Sequence, residues 1–405
     1  MTNAAPASDG APLPFPFPIV SSLDPSPEYA RLRAEQPVVR VRLPSGDLAW
    51  LVTRHEDVRF VFGDPRFSRA AACAPDAPRL MPGVEADPES IVSKDAPAHT
   101  RLRRLVAPAF VPRRMEAYRD MITNTVDRLL DGMEAAGPPA DIVAHLSSTL
   151  PMITICELLG VSEEDHDRFR EWATTMFGTT KEAMKKGIAA RKSLLSYLQT
   201  LIEHKRKERG DDLLSVLIAY QEEGDRLSGK ELLSFAGGLI VAGYETTSNR
   251  IANAVLMLLR HPGQLALLRD GDEHVESAVE ELLRFIPGGA AGGLMRVALE
   301  DVEIRGVTVH EGDGIIAVTN SANRDDAVFP DPDRFDITRK PGPHKTFGHG
   351  IHYCVGAQLA RIELQQSLGQ LARRFPNLSL AVPEQELKWR KNVVIHSLES
   401  LPVKW

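Results

Sequence analysis

Between about Ala98 and Leu268, apolar residues recur at spacings of three and four, the period of an amphipathic helix. The pattern breaks at GPPAD, GVSEED and ERGDD, each a helix stop followed by acidic residues that favour a new N-terminus. Most of this region is expected to be helical. The longest helix is expected to start at Ser228, where Glu231 three residues on completes a capping box, and to run to His261 before Pro262. At 1.5 Å per residue it would span roughly 50 Å. A further helix, EHVESAVEELLRFI, ends at Pro287.

The period changes to two in two places. Val39 to Leu43 and Leu48 to Val52 alternate on either side of a Pro-Ser-Gly-Asp turn, which reads as a β-hairpin leading into a helix. The stretch VALEDVEIRGVTVHEGDGIIAVTNSAN alternates again, with Gly306 and Gly312 at turns, and should give a small sheet. The expected class is mainly α with a smaller β region, the β-rich part lying near 36–55 and 294–320.

Residues 1–20 read as a flexible proline-rich arm and 21–405 as one domain, although 405 residues would also suit two tightly packed lobes. The arm has no basic n-region and no uninterrupted apolar run, and its prolines would break a signal or membrane helix. The apolar stretch Leu232 to Gly243 falls short of the roughly 18 residues that cross a bilayer. It reads as a core helix, and no membrane is expected as a partner.

Charge narrows the partners further. With 48 basic against 55 acidic residues the chain is a poor prospect for wrapping nucleic acid. Cys73, Cys156 and Cys354 are odd in number and far apart, which suits free thiols in a reducing compartment, read here as the cytoplasm.

One of those cysteines sits inside FGHGIHYCVGAQLAR, Phe347 to Arg361. Cys354 could be a packed thiol, a nucleophile with His352 two residues away, or a metal ligand. A structural zinc would need other cysteines at CxxC spacing, which are missing. A lone cysteine ligand makes most sense where a cofactor fills the metal's other positions, as in a haem held by one thiolate. Gly348, Gly350 and Gly356 remove side chains where the backbone must turn sharply or lie against a flat ring, and the helix that follows places its positive end near the sulfur.

Two further stretches are ambiguous in isolation. AGYETT, Ala242 to Thr247, puts Gly243, Glu245 and Thr246 into the most apolar helix of the chain. Close helix packing at Gly243, with a threonine bonded one turn back, would account for it. An acid–alcohol pair beside bound oxygen would account for it as well. In EELLR, Glu281 and Arg284 share a helix face, which by itself is an ordinary pair, and Arg334 of FPDPDRF could join them in a buried structural cluster. His99 and Arg103, Arg296 and His352 stand at places suited to anionic groups such as haem propionates.

Together these residues resemble the cytochrome P-450 superfamily of haem-thiolate monooxygenases, in its soluble bacterial, actinobacterial form. FGHGIHYCVG matches the signature FxxGxxxCxG, AGYETT matches the oxygen-activation stretch AGx(D/E)T(T), and Glu281 with Arg284 matches ExxR. The resemblance implies a triangular helical body whose long central helix lies over haem b. It implies Cys354 as the axial iron ligand. Phe347, Gly348 and Gly356, and Ala242 and Gly243 in the long helix, would lie against the cofactor. His99, Arg103, Arg296 and His352 would bind the propionates, Glu245 and Thr246 would deliver protons for oxygen activation, and Glu281, Arg284 and Arg334 would be structural. Asp333 departs from the glutamate common before that last arginine.

The implied function is a monooxygenase that uses O2 to hydroxylate or epoxidise a sizeable apolar small molecule in antibiotic biosynthesis. Small residues in PGGAAGGLMR, Pro287 to Arg296, favour a macrolide or other polyketide; a terpenoid or steroid comes second. A non-catalytic haem-thiolate protein would not need Glu245 and Thr246. No flavin or nicotinamide domain follows, so electrons are expected from a separate ferredoxin and its NAD(P)H ferredoxin reductase, docking on basic residues such as Arg104, Arg113 and Arg361.

Overall fold

The computed structural model describes residues 11–18, 23–81, 87–176, 178–222, 227–289, 293–391, 393 and 397–405. They condense into two compact units. A chain of this length exceeds the size at which one core keeps growing.

The first unit comprises Met1–Arg101, Arg284–Phe335 and Gly342–Cys354, and carries most of the strands. The expected hairpin forms from β2 (Val38–Arg42) and β3 (Leu48–Val52), antiparallel with Val38 opposite Val52, and leads into the helix His55–Gly63. It belongs to a six-stranded sheet in the order β1-β2-β3-β9-β6-β4, where β1 is Leu13–Pro14, β4 Phe67–Ser68, β6 Arg296–Ala298 and β9 Gly314–Ala317. Strands β7 (Val302–Ile304) and β8 (Val307–Val309) make a separate hairpin, with positive φ at Arg305 and Gly306 in its turn. Both faces of the large sheet are covered. Val52, Phe67 and Ile315 pack into one apolar cluster, while Leu51 and Ile316, one residue along, pack into the other with Phe15, Tyr29 and Leu32.

Within the proline-rich arm, Leu13–Pro14 pairs with β2, and Phe15 and Phe17 are buried in edge contact with each other, Phe17 also meeting Tyr29. Proline is tolerated there because the strand sits at the sheet edge.

The second unit comprises Leu102–Leu283, Asp336–Pro341 and Val355–Trp405 and is mostly helical. Its long helix runs from Gly229 to Arg260 behind the expected capping box: the Ser228 hydroxyl accepts from the Glu231 N–H at 3.1 Å, and the Glu231 carboxylate accepts from the Ser228 N–H at 2.8 Å. The helix Leu150–Leu159 packs against it, and a Cβ built on Gly243 would lie 3.3 Å from Cδ1 of Ile155, so glycine permits the close approach. A small antiparallel sheet in the order β10-β11-β5 joins Ser379–Leu380, Pro402–Lys404 and Ala140–Asp141. Among the described residues, no single helix is long and apolar enough to cross a membrane.

Candidate active site

In the first unit the cysteine loop is shaped by backbone. Cys354 is exposed, and its N–H donates to the Phe347 carbonyl at 2.9 Å. Gly348 and Gly350 have φ of +76° and +72°, and a Cβ on Gly350 would come within 2.7 Å of the Phe62 carbonyl oxygen, so these turns require glycine. At Gly356 φ is −87° and, among the described residues, nothing beyond its own chain neighbours lies within 4 Å of a built Cβ, so packing within the chain does not call for glycine there. The helix Ala357–Arg374 begins three residues after Cys354.

Behind this loop the expected basic residues gather. The His352 ring packs on the ring of buried His99 with centroids 4.3 Å apart. Arg296, which opens β6, is buried over the Phe62 ring and donates to the Phe67 carbonyl at 3.2 Å. Two residues that no motif marked complete the cluster. Arg69 donates to the carbonyls of Val92 and Met295, and Asp95 accepts from the Ser68 hydroxyl and from the N–H groups of Arg69 and Ala70.

The cluster is short of negative charge. Burial, then the charges of His99, Arg296 and Arg69, push the His352 imidazole down to about 3, against the opposing effect of Asp95. Burial and then Arg69 push the Arg296 guanidinium down to about 10. Burial would raise the Asp95 carboxyl, but its hydrogen bonds outweigh that and hold it below the ordinary range. Nε2 of His352 and Nε of Arg296 are buried with no hydrogen-bond partner among the described residues. A carboxylate placed among these donors would satisfy both atoms and relieve the mutual repulsion.

In the second unit, Gly238, Ala242 and Thr246 are exposed on the long helix while most of the residues around them are buried. Spaced four apart, they form one stripe of small side chains. Thr246 Oγ1 donates to the Ala242 carbonyl at 2.6 Å. Glu245 is buried, and its Oε1 accepts from Arg390 Nη1 at 3.0 Å and Asn249 Nδ2 at 3.3 Å. Burial raises its carboxyl above the usual range, opposed by Arg390 and by the Asn249 hydrogen bond. Sequence reasoning missed Arg390 because its partner lies 145 residues away and no motif joins them.

The remaining expected residues fall as follows. Arg103 lies half-buried on the helix Ala98–Val106, with His99 on the same helix but in the other unit. Glu281 is buried and accepts from the Asp336 N–H at 3.1 Å and Arg339 Nε at 3.3 Å. Arg284 is buried and donates to the carbonyls of Asn323 and Pro332, each at 2.8 Å. Arg334 is exposed, and Arg339 forms an ion pair with Glu281. Asp333 takes a contact of its own, accepting from Arg324 at 2.7 Å. Arg361 is bound by Glu280 through two hydrogen bonds. In the loop 287–296, Ala290, Ala291 and Gly292 lie outside the described residues; Leu294 is exposed, and a Cβ on Gly293 would meet the Ala317 carbonyl oxygen.

A family model for cytochrome P450 matches residues 166–270 and 273–399. The chain belongs to the cytochrome P450 family. It is 50% identical over 393 residues to nocardicin C N-oxygenase of Nocardia uniformis subsp. tsuyamanensis, covering 96% of this chain and 98% of that one. It is 44% identical over 405 residues to mycinamicin IV hydroxylase/epoxidase of Micromonospora griseorubida, covering both chains fully. Among solved structures, the LnmA cytochrome P450 hydroxylase from the leinamycin pathway of Streptomyces atroolivaceus superposes with a TM-score of 0.91 at 45% identity, covering 97% of this chain and 100% of that one. This P450 is therefore an oxidoreductase of the monooxygenase type, and its cofactor is haem b. The residues present fit that group. The unpartnered His352 and Arg296 nitrogens suit propionates, the exposed Cys354 suits an axial ligand, and Gly356 has no packing reason of its own to be glycine.

Proposed function

We propose that this P450 oxygenates a sizeable apolar antibiotic intermediate, by hydroxylation or epoxidation, with a polyketide macrolide as the first class to test. The observation that carries the catalytic part is the pairing on the long helix: Thr246 presents its hydroxyl on the exposed small-residue stripe while Glu245, next to it, is buried with a raised carboxyl. The substrate class is supported by the full-length likeness to mycinamicin IV hydroxylase/epoxidase. A second reading, N-oxygenation of an amine-bearing antibiotic, is favoured by the 50% identity to nocardicin C N-oxygenase.

Haem b, when bound, supplies dioxygen activation and transfer of one oxygen atom to the substrate. Cys354 is the residue we assign as its axial ligand, with His99, Arg103, Arg296 and His352 holding the propionates. Glu245 holds a proton at its carboxyl, and the Thr246 hydroxyl, free to rotate away from the Ala242 carbonyl, passes it on at the exposed face. A separate ferredoxin and its NAD(P)H reductase supply electrons, and exposed Arg104 and Arg113 are candidates for its docking.

A spectral binding screen with macrolides and amine-bearing antibiotics tests the substrate class through the iron spin-state change. Product carrying one added oxygen atom from a macrolide supports the first reading, and oxygen on nitrogen the second. Thr246→Ala is expected to keep consuming NAD(P)H while product per NAD(P)H falls roughly 10-fold or more, a loss in the range of a displaced proton-transfer group. Unchanged coupling would remove Thr246 from the route.

A further inference from the structure

Glu245 has a second environment that its partnership with Thr246 does not use. It lines a solvent-open cavity of about 980 Å³ to which the long helix contributes Tyr244, Glu245, Ser248 and Asn249, a face that leaves out Thr246. One residue apart, the two side chains point about 100° apart around the helix. The acid thus stands between the exposed stripe on one side and a water-accessible space on the other.

Arg390 meets it there. Its backbone is fixed by a short antiparallel ribbon: the Arg390 N–H donates to the Ser397 carbonyl and the Glu399 N–H to the Lys388 carbonyl, each at 2.8 Å. Its side chain is a quarter exposed, while the Glu245 side chain it holds is 3% exposed. The cavity wall carries other charges, Asp167, Arg170 and Glu171 on the helix His166–Thr175 and Lys186 on the helix Lys181–Lys207, with Lys391 and Glu399 on the ribbon. Arg170 is turned to Asp167 and Thr149. Among the described residues, the cation within ion-pair distance of Glu245 is Arg390.

We propose that Arg390 is a positioning residue for Glu245: it holds the carboxylate at the cavity wall, where water exchanges its proton, and so sets how readily the acid is reloaded between turnovers. The inference rests on the proton-delivery roles of Glu245 and Thr246 proposed above. In each cycle the Glu245 carboxylic acid gives its proton toward Thr246 and becomes a carboxylate. That carboxylate takes a proton from hydronium or a buffer acid through water in the cavity, and Arg390 stays a cation throughout.

Infrared difference titration of the haem-loaded enzyme tests this without relying on turnover. The Glu245 carboxyl band is assigned by its loss in Glu245→Gln. In Arg390→Ala and Arg390→Gln its midpoint is expected to rise by about one pH unit or more, the size of effect a close opposite charge exerts, and in Arg390→Lys by much less. The pH at which product formation couples to electron use should move the same way, with KM little changed and the lysine variant rescuing both. Where Arg390→Ala fails to load haem, the glutamine and lysine variants decide. A midpoint that stays put in a haem-loaded alanine or glutamine variant overturns the role of Arg390. Thr246→Ala separates this from the parent reading: uncoupling there, with a Glu245 midpoint unmoved in the Arg390 variants, leaves the proton route intact and removes Arg390 alone.

Discussion

A carboxyl with no water and no full set of partners has to pay for ionisation, and Glu363 is the sharpest case in this molecule. It lies on the helix Ala357–Arg374, fully buried, with Oε1 unpartnered among the described residues. Burial pushes its carboxyl from 4.5 up to about 8, with the nearby Thr154 hydroxyl acting weakly in the other direction. Below pH 4.5 it is protonated folded or unfolded and has no effect on the balance. From there to about 8 the folded state keeps a proton that the unfolded state has lost, so stability falls with rising pH by up to about 1.4 kcal/mol per unit, then levels. Glu363→Gln is therefore expected to raise Tm at pH 8 and to leave it nearly unchanged at pH 4.5, read by calorimetry at both; an equal shift at the two values would contradict the assignment. The residue was invisible in the sequence because no motif marks a lone glutamate inside the helix that follows the cysteine loop. Cys354, Glu245 and Thr246 were legible because each sits in a short window with its own chemistry, whereas Arg69, Asp95, Asn249 and Arg390 acquire meaning through hydrogen bonds or contacts that the fold brings about.

The same contrast holds for elements. The long helix was legible end to end because its signals are local: Ser228 and Glu231 cap it, and Pro262 begins the next helix. Ser228→Ala should cost about 1 kcal/mol, read as a lower Tm or denaturation midpoint, and Ser228→Asp should largely restore it. The hairpin β2–β3 was legible for a similar reason, since alternation and turn lie within fifteen residues. Strands β1, β5, β10 and β11 were not, because two or three residues cannot display a period of two. Nor could alternation show that β9 lies parallel to β3, a pairing between Ala49 and Gly314 that only the chain's return makes possible. Arg339, which no motif marked, pairs with Glu281 through the same kind of chain return.

Across the whole molecule, composition narrowed the expected partners and motifs pointed to the family, but neither revealed how the residues divide. The cysteine loop, His99, His352 and Arg296 fall in the strand-rich unit, and Glu245, Thr246 and Arg390 in the helical one. Each set of residues is thus placed by the contacts of its own unit, which a sequence motif cannot display. A buried donor cluster short of negative charge also implies that haem loading stabilises the fold, as any ligand bound by the native state alone does. The central claim is that Cys354 supplies the one protein bond to the haem iron. It is tested most directly by reducing the purified, haem-loaded enzyme under carbon monoxide. The wild-type band should move to the long wavelength diagnostic of thiolate ligation, and Cys354→His should lose that position. A wild-type band that stays unshifted, or a Cys354→His variant that keeps the long-wavelength band, would contradict the assignment.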